Sequence, residues 1–124
     1  MTSTPQTTRM LVVEDDLDTR EFYEDLLIAE GYHVLAASTG QQALAHIAAQ
    51  SVQGIVLDRR LPDVDGVLLC RLLRQRLGAQ VPIIFVTADR DPDLEATARA
   101  AGITAFVLKP FHPAELLDRV QRLT

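Results

Sequence analysis

The chain has 124 residues, with 12 Lys and Arg against 17 Asp and Glu, and its net charge of −5 argues against general affinity for nucleic acid. Its single cysteine excludes an intrachain disulfide and a thiolate metal cluster, and fits a reducing compartment. At 48% hydrophobic residues the composition is that of a globular domain, no apolar run approaches the roughly 18 residues of a membrane span, and no apolar leader stands near Met1, so a cytoplasmic location is expected.

Residues 1–8 are polar, rich in Thr, Ser and Gln, and are expected to form a flexible N-terminus; 9–124 read as one domain. Arg9-Met10-Leu11-Val12-Val13 is a short apolar strand that stops at Glu14-Asp15-Asp16. From Leu17 the period becomes helical, with Phe22, Leu26 and Leu27 on one side, Asp18, Glu21, Glu24 and Asp25 on the other, and Gly31 as C-cap. Tyr32 to Ala36 reads as a second strand, and Ser38-Thr39-Gly40 opens a helix carrying Ala43, Leu44 and Ile47 to about Gln50. Gly54-Ile55-Val56-Leu57-Asp58 is a short apolar run ended by Arg59-Arg60 and Pro62, the signature of a strand buried on both faces.

Asp65 can N-cap a third helix holding Val67, Leu68, Cys70, Leu72 and Leu73 inward and Arg71, Arg74 and Arg76 outward, closed by Gly78. Val81 to Val86 is the fourth strand and delivers Thr87-Ala88-Asp89. Asp91-Pro92-Asp93 starts a fourth helix that ends at Gly102, Thr104 to Leu108 is the fifth strand leading to Lys109-Pro110, and a last helix runs from His112 or Pro113 to about Arg122. Five strands alternating with five helices through short connections imply a parallel sheet between helical layers, a three-layer α/β domain with right-handed crossovers.

The strand ends carry the chemistry. Glu14, Asp15 and Asp16 follow the first strand, Asp58 ends the third, Thr87 follows the fourth and Lys109 the fifth. In an open α/β sheet these ends share one rim, where ligand crevices form. Asp58 alone could equally turn the chain; convergence of the other strand ends on it is what makes it a reactive centre. Crowded carboxylates bind a cation or shift their own pKa values, and oxygen donors without thiolate or imidazole suit a hard ion such as Mg²⁺ (or Mn²⁺). The charges of Glu14, Asp15 and Asp58 are then balanced by Lys109 and a divalent ion. A neutralised pocket of this kind can accept a phosphoryl group, with Asp58 attacking phosphorus to form an acyl phosphate while Lys109 and the Thr87 hydroxyl hold its oxygens.

Five ordered elements carry a family resemblance: Leu11-Val12-Val13-Glu14-Asp15-Asp16, Leu57-Asp58, Leu61-Pro62-Asp63-Val64-Asp65-Gly66, Val86-Thr87-Ala88 and Leu108-Lys109-Pro110-Phe111. The chain resembles a response-regulator receiver domain of two-component signalling, of the CheY-like kind, from Arg9 to Leu123. The resemblance implies a flavodoxin-like sheet of order 2-1-3-4-5 and a phosphoacceptor, Asp58, charged by a sensor histidine kinase or phosphotransfer protein in a phosphorelay. It implies Asp15 as direct Mg²⁺ ligand beside Asp58, Glu14 acting through metal-bound water, and the Arg60 backbone carbonyl completing the metal site. Thr87 and Lys109 would hold the phosphoryl group, Thr87 and Phe106 would form the switch, and Lys109-Pro110 would be cis. Such a protein catalyses only its own phosphoryl transfer and autodephosphorylation and acts on an output protein or domain, without membrane or direct nucleic-acid contact, and with phosphorylation-dependent homodimers among its options.

Departures from the family pattern are informative. Arg60 stands two after the phosphoacceptor and Asp89 two after Thr87, positions that tune phosphoryl lifetime by resemblance, and a pairing of Arg60 with Asp89 across the site is expected. Phe106 lacks the hydroxyl of the more frequent Tyr, so an inward turn would be governed by packing. Thr104-Ala105 replaces an acidic pair and counts against dimerisation through the last two helices. Cys70 reads as core, His33, His46 and His112 as surface or capping residues, and Asp63-x-Asp65-Gly66 as loop and cap chemistry rather than a calcium loop. Arg71, Arg74 and Arg76 form a solvated face or a docking edge for an acidic partner, and Asp16 and Asp18 complement the helix dipole, Asp16 near the metal's outer shell. Two other functions share the chemistry. A Mg²⁺-dependent phosphohydrolase would place its nucleophile after the first strand with a second Asp two residues on, whereas here the residue two after Asp58 is Arg60; a phosphate-independent interaction module would have lost an acid or the lysine, and this chain retains them all.

Overall fold

The computed structural model describes residues 8–124. Residues 1–7, on which most of the expected flexible N-terminus falls, lie outside the described residues, and Thr8 already accepts a backbone bond from His33 at 2.9 Å. The elements alternate as β1 (Arg9–Val13), α1 (Leu17–Ala29), β2 (His33–Ala37), α2 (Gly40–Ala49), β3 (Gly54–Asp58), α3 (Gly66–Leu77), β4 (Ile83–Thr87), α4 (Leu94–Ala101), β5 (Ala105–Leu108) and α5 (Pro113–Leu123). The five strands are parallel in the order β2-β1-β3-β4-β5, as the resemblance implies. Strand order reverses beside β1, which opens the crevice at the carboxyl ends of β1 and β3.

Period-2 alternation splits the core in two. Leu11, Val13, Ile55, Leu57, Ile83 and Phe85 face α2, α3 and α4, where they meet Ala43, Leu69, Cys70, Leu73 and Ala98. Met10, Val12, Val56, Ile84 and Val86 face α1 and α5, against Tyr23, Leu27, Leu116 and Val120. Each of the larger side chains contributes about 1.5–3 kcal/mol by leaving water. Cys70 is core, as expected.

Helix ends follow local rules. Asp16 caps α1, accepting from the Thr19 N–H at 2.9 Å and its hydroxyl at 2.6 Å, and Thr39, Asp65 and His112 cap α2, α3 and α5. Gly102 ends α4 at φ +113°, a left-handed conformation that favours glycine. His46 reaches the Ala36 carbonyl and His33 accepts from Arg9, consistent with surface and capping roles.

Three expectations are corrected. On α1 the inward aromatic is Tyr23, not Phe22, which is 45% exposed; the stripe that meets the sheet runs Tyr23–Leu27, four residues apart. On α3, Leu69 is fully buried and Leu68 is 49% exposed, because Leu69, Cys70 and Leu73 are the set at helical spacing that faces β3 and β4. Arg74 is not part of a solvated edge. Its guanidinium donates to the Gly102, Gly78 and Val81 carbonyls at 2.8, 3.0 and 2.5 Å, tying the end of α3 to the entry of β4 and the turn before β5.

Candidate functional site

Four of the five strands deliver one polar residue each to the same rim. Asp58 is the last residue of β3 and Thr87 the last of β4, while Glu14 and Lys109 stand one residue past β1 and β5. Glu14, Asp58 and Thr87 are the only buried polar or charged side chains among the described residues, at 3%, 7% and 2% exposure. Lys109 reaches over from β5 so that its Nζ lies 2.5 Å from Asp58 Oδ2 and 3.6 Å from Glu14 Oε2. The Lys109–Pro110 peptide is cis, as the resemblance implies, and the Lys109 N–H donates to the Thr87 carbonyl at 2.8 Å. The Asp58 carboxylate also accepts from the Arg60 N–H at 3.1 Å, which turns the chain out of β3.

The electrostatics are those of two acids sharing one ammonium. Burial, and then the neighbouring Asp58, push the Glu14 carboxyl up to about 8, with Lys109 opposing. Burial also disfavours the Asp58 carboxylate, but its neighbours Glu14 and Lys109 outweigh it and hold Asp58 below the usual carboxylate range. Burial disfavours the Lys109 ammonium as well, and Asp58 more than offsets this, raising it. Of the two acids, Asp58 is the one held toward its ionised form and Glu14 the one pushed toward its neutral form.

Glu14 Oε2 is buried without a hydrogen-bond partner. An orphaned carboxylate oxygen beside an ionised one is a place for a cation. The remaining donors are the exposed Asp15 carboxylate and backbone oxygen, all hard ligands. Among the described residues no group of three or more His, Cys, Asp or Glu side chains is gathered to hold a metal by itself. Mg²⁺ does not require one, since it keeps several waters and takes one or two carboxylates.

The pairing expected between Arg60 and Asp89 is made by Arg59 instead. Arg59 Nη1 lies 2.5 Å from Asp89 Oδ2 and Arg59 Nε 3.3 Å from Asp65 Oδ2, whereas Arg60 is exposed and forms a backbone bridge with Asp65. The physical reason is alternation. Leu57 and Arg59 fall on the same side of β3, as Phe85, Thr87 and Asp89 do along β4, and that side faces α3 and α4. Phe106 lies on β5 opposite Phe85, ring centroids 6.0 Å apart and nearly parallel at 23°, half-buried at the edge of this same core.

Two residues that sequence reasoning placed only as loop and cap chemistry brace the site. Asp63 crosses to α2, where its two oxygens accept from Gly40 N–H at 2.8 Å and Gln41 N–H at 3.0 Å; these bonds hold its carboxyl below the usual range. Gly66 packs against the backbone that carries Asp58: a Cβ there would meet the Asp58 carbonyl at 2.5 Å and the Arg59 Cα at 2.6 Å. The Asp-x-Asp-Gly spacing was the signal for both, but their partners are distant in sequence.

The chain matches the response regulator receiver domain family over residues 10–121. It belongs to that family. Among curated relatives, it is 39% identical over 120 residues to the transcriptional regulatory protein AruR of Pseudomonas aeruginosa, covering 93% of this chain and 48% of that protein. The receiver domain thus spans about half the length of that relative. Among solved structures, the receiver domain of a Pseudomonas aeruginosa sensor histidine kinase, determined with a magnesium ion coordinated in its active site cleft, superposes with a TM-score of 0.85 at 34% identity, covering 95% of this chain and 98% of that one. Vibrio cholerae chemotaxis protein CheY4 superposes at 0.90 with 28% identity, covering 96% and 100%.

Proposed function

We propose that this receiver domain is a phosphorylation-gated switch of a two-component phosphorelay, with Asp58 as phosphoacceptor. The observation that carries the reading is the Lys109–Asp58 contact at 2.5 Å, flanked by the buried Glu14 and Thr87 at the carboxyl edge of the sheet. An Asp58 oxygen attacks the phosphorus of a histidine-kinase phosphohistidine, a P–O bond forming as the donor's P–N bond breaks. Lys109 moves from pairing Asp58 to pairing a phosphoryl oxygen. Thr87 Oγ1 accepts from Asp89 N–H at 3.0 Å, so its own hydrogen remains free to donate to a second phosphoryl oxygen.

A magnesium-bound neighbour of the same fold supports Mg²⁺ (or Mn²⁺) as the cofactor. Asp15, Asp58 and the Arg60 carbonyl would hold it, with Glu14 acting through bound water; when bound it offsets negative charge on the phosphoryl oxygens. Arg60 and Asp89 border the path of hydrolytic water and set the phosphoryl lifetime. The domain turns over no external substrate beyond its own phosphoryl transfer and autodephosphorylation.

The switch is the movement of Thr87 toward the phosphoryl group, which vacates space into which Phe106, already stacked on Phe85, turns inward. The new dianion supplies the bias and the β4–α4 surface carries the output to a protein or domain. Among the described residues no helix is long and apolar enough to cross a membrane. The test is an amide spectrum recorded with Mg²⁺ and beryllofluoride. Shifts at Asp58, Thr87 and Phe106 are expected, and a spectrum that shifts at Asp58 alone would exclude the switch.

A further inference from the structure

We infer that Arg59 is a positioning residue for the switch: through Asp89 it latches Thr87 in its unphosphorylated place. The inference rests on the proposed function above. A chain of contacts carries it. Arg59 Nη1 holds Asp89 Oδ2 at 2.5 Å, and Asp89 in turn donates its N–H to Thr87 Oγ1 at 3.0 Å. Asp89 Oδ1 accepts from Asp91 N–H at 2.9 Å, so the same carboxylate also shapes the turn that leads into α4. The second edge of the guanidinium pairs with Asp65, the N-cap of α3, at 3.3 Å. Arg59 therefore bridges the two loops that flank Asp58 on the α3 and α4 side.

Thr87 cannot advance toward a phosphoryl group on Asp58 without dragging or breaking its bond to Asp89, and Asp89 is held by Arg59. Release is sterically feasible. Arg59 lines a cavity of about 310 Å³ between α3 and α4, with Leu68, Arg71 and Leu94 on its walls, and its side chain can swing into that space. The ion pair is about a quarter exposed on each side, so it biases the switch modestly rather than locking it. Phosphorylation then competes with the Arg59–Asp89 pair, and whatever removes the pair shifts the unphosphorylated domain toward its active form.

The latch and simple charge attraction predict opposite things for one of the two partners. A phosphoryl mimic is anionic. If Arg59 and Asp89 acted on it only through charge, Arg59→Gln would weaken binding and Asp89→Asn would strengthen it. If they act as a latch, both substitutions favour binding. The experiment is a titration of wild type, Arg59→Gln, Asp89→Asn, the double variant and Arg59→Lys with beryllofluoride at fixed Mg²⁺, followed by amide spectra at Thr87 and Phe106. Each single variant is expected to bind beryllofluoride about two- to fivefold more tightly, with the double variant no tighter than either single. Without beryllofluoride, the Thr87 and Phe106 signals of the variants are expected to lie part-way along the wild-type shift, and Arg59→Lys to return toward wild type. Unchanged single variants, singles of opposite sign, or an additive double variant would overturn the latch while leaving the switch intact. A wild-type protein that gives no shift at all would instead remove the functional reading on which the latch depends.

Discussion

Lys109 Nζ and Asp58 Oδ2 lie 2.5 Å apart although 51 residues separate them in the chain. The contact joins the ends of two strands that are not neighbours in the sheet, since β4 runs between β3 and β5. The ammonium also lies 3.6 Å from Glu14 at the end of β1, so one cation organises both buried acids. This arrangement holds the Asp58 carboxyl below the usual carboxylate range, in a pocket where burial by itself pushes it up.

Removing that cation separates chemistry from folding. Lys109→Ala is expected to slow phosphoryl uptake from acetyl phosphate by about 10²–10³, the usual cost of losing one preorganised charge stabiliser. Lys109→Arg is expected to rescue little, because a planar guanidinium does not replace a compact ammonium on this approach. Rates of adduct formation by intact mass check both.

Gly66 is constrained by space rather than by backbone angle. In Gly66→Ala the new methyl carbon meets the Asp58 carbonyl and the Arg59 Cα, and backbone atoms must move to admit it. Destabilisation of about 1–3 kcal/mol is expected in denaturant unfolding, together with slower phosphorylation because the displaced backbone carries Asp58.

The phase of α3 is open to direct test. Leu69→Ala removes a fully buried side chain and is expected to cost about 2–5 kcal/mol, whereas Leu68→Ala, half-exposed, is expected to stay within about 0.5 kcal/mol of wild type. Chemical denaturation of the pair distinguishes the two helical phases.

Asp63 couples acid stability to the docking of α2. Its carboxyl is held below the usual carboxylate range by the Gly40 and Gln41 amides, so folding favours the ionised form. The stabilisation is present above the unfolded-state pKa near 3.8 and is lost as pH falls through the lowered folded value. Asp63→Asn is therefore expected to flatten the acid limb of the stability curve below about pH 4, and to speed amide exchange at Gly40 and Gln41.

Much of this architecture is legible in the sequence because its strands are short, apolar and punctuated. Val12-Val13 into Glu14, Leu57 into Asp58, Val86 into Thr87 and Leu108 into Lys109 each mark a strand end by an abrupt change of polarity, and a parallel α/β order then brings those ends together. Rotational phase within apolar helices is not legible to the same degree. Phe22-Tyr23 and Leu68-Leu69 are adjacent pairs in which either member fits the stripe, and only packing against the sheet selects Tyr23 and Leu69. Side chains whose partners are distant carbonyls or amides leave no local trace, which is why Arg74 and Asp63 read as solvated or capping residues. The family pattern singles out Arg60, the second position after Asp58, whereas the alternation of β3 sends Arg59, the first, toward Asp89.

The most direct test is the intact mass of the protein after incubation with Mg²⁺ and acetyl phosphate, compared with Asp58→Ala. The account predicts one added phosphoryl group on the wild type, lost on treatment with hydroxylamine as an acyl phosphate should be, and none on the variant. An adduct that persists in Asp58→Ala, or a wild type that takes up no phosphoryl group while remaining folded, would contradict it.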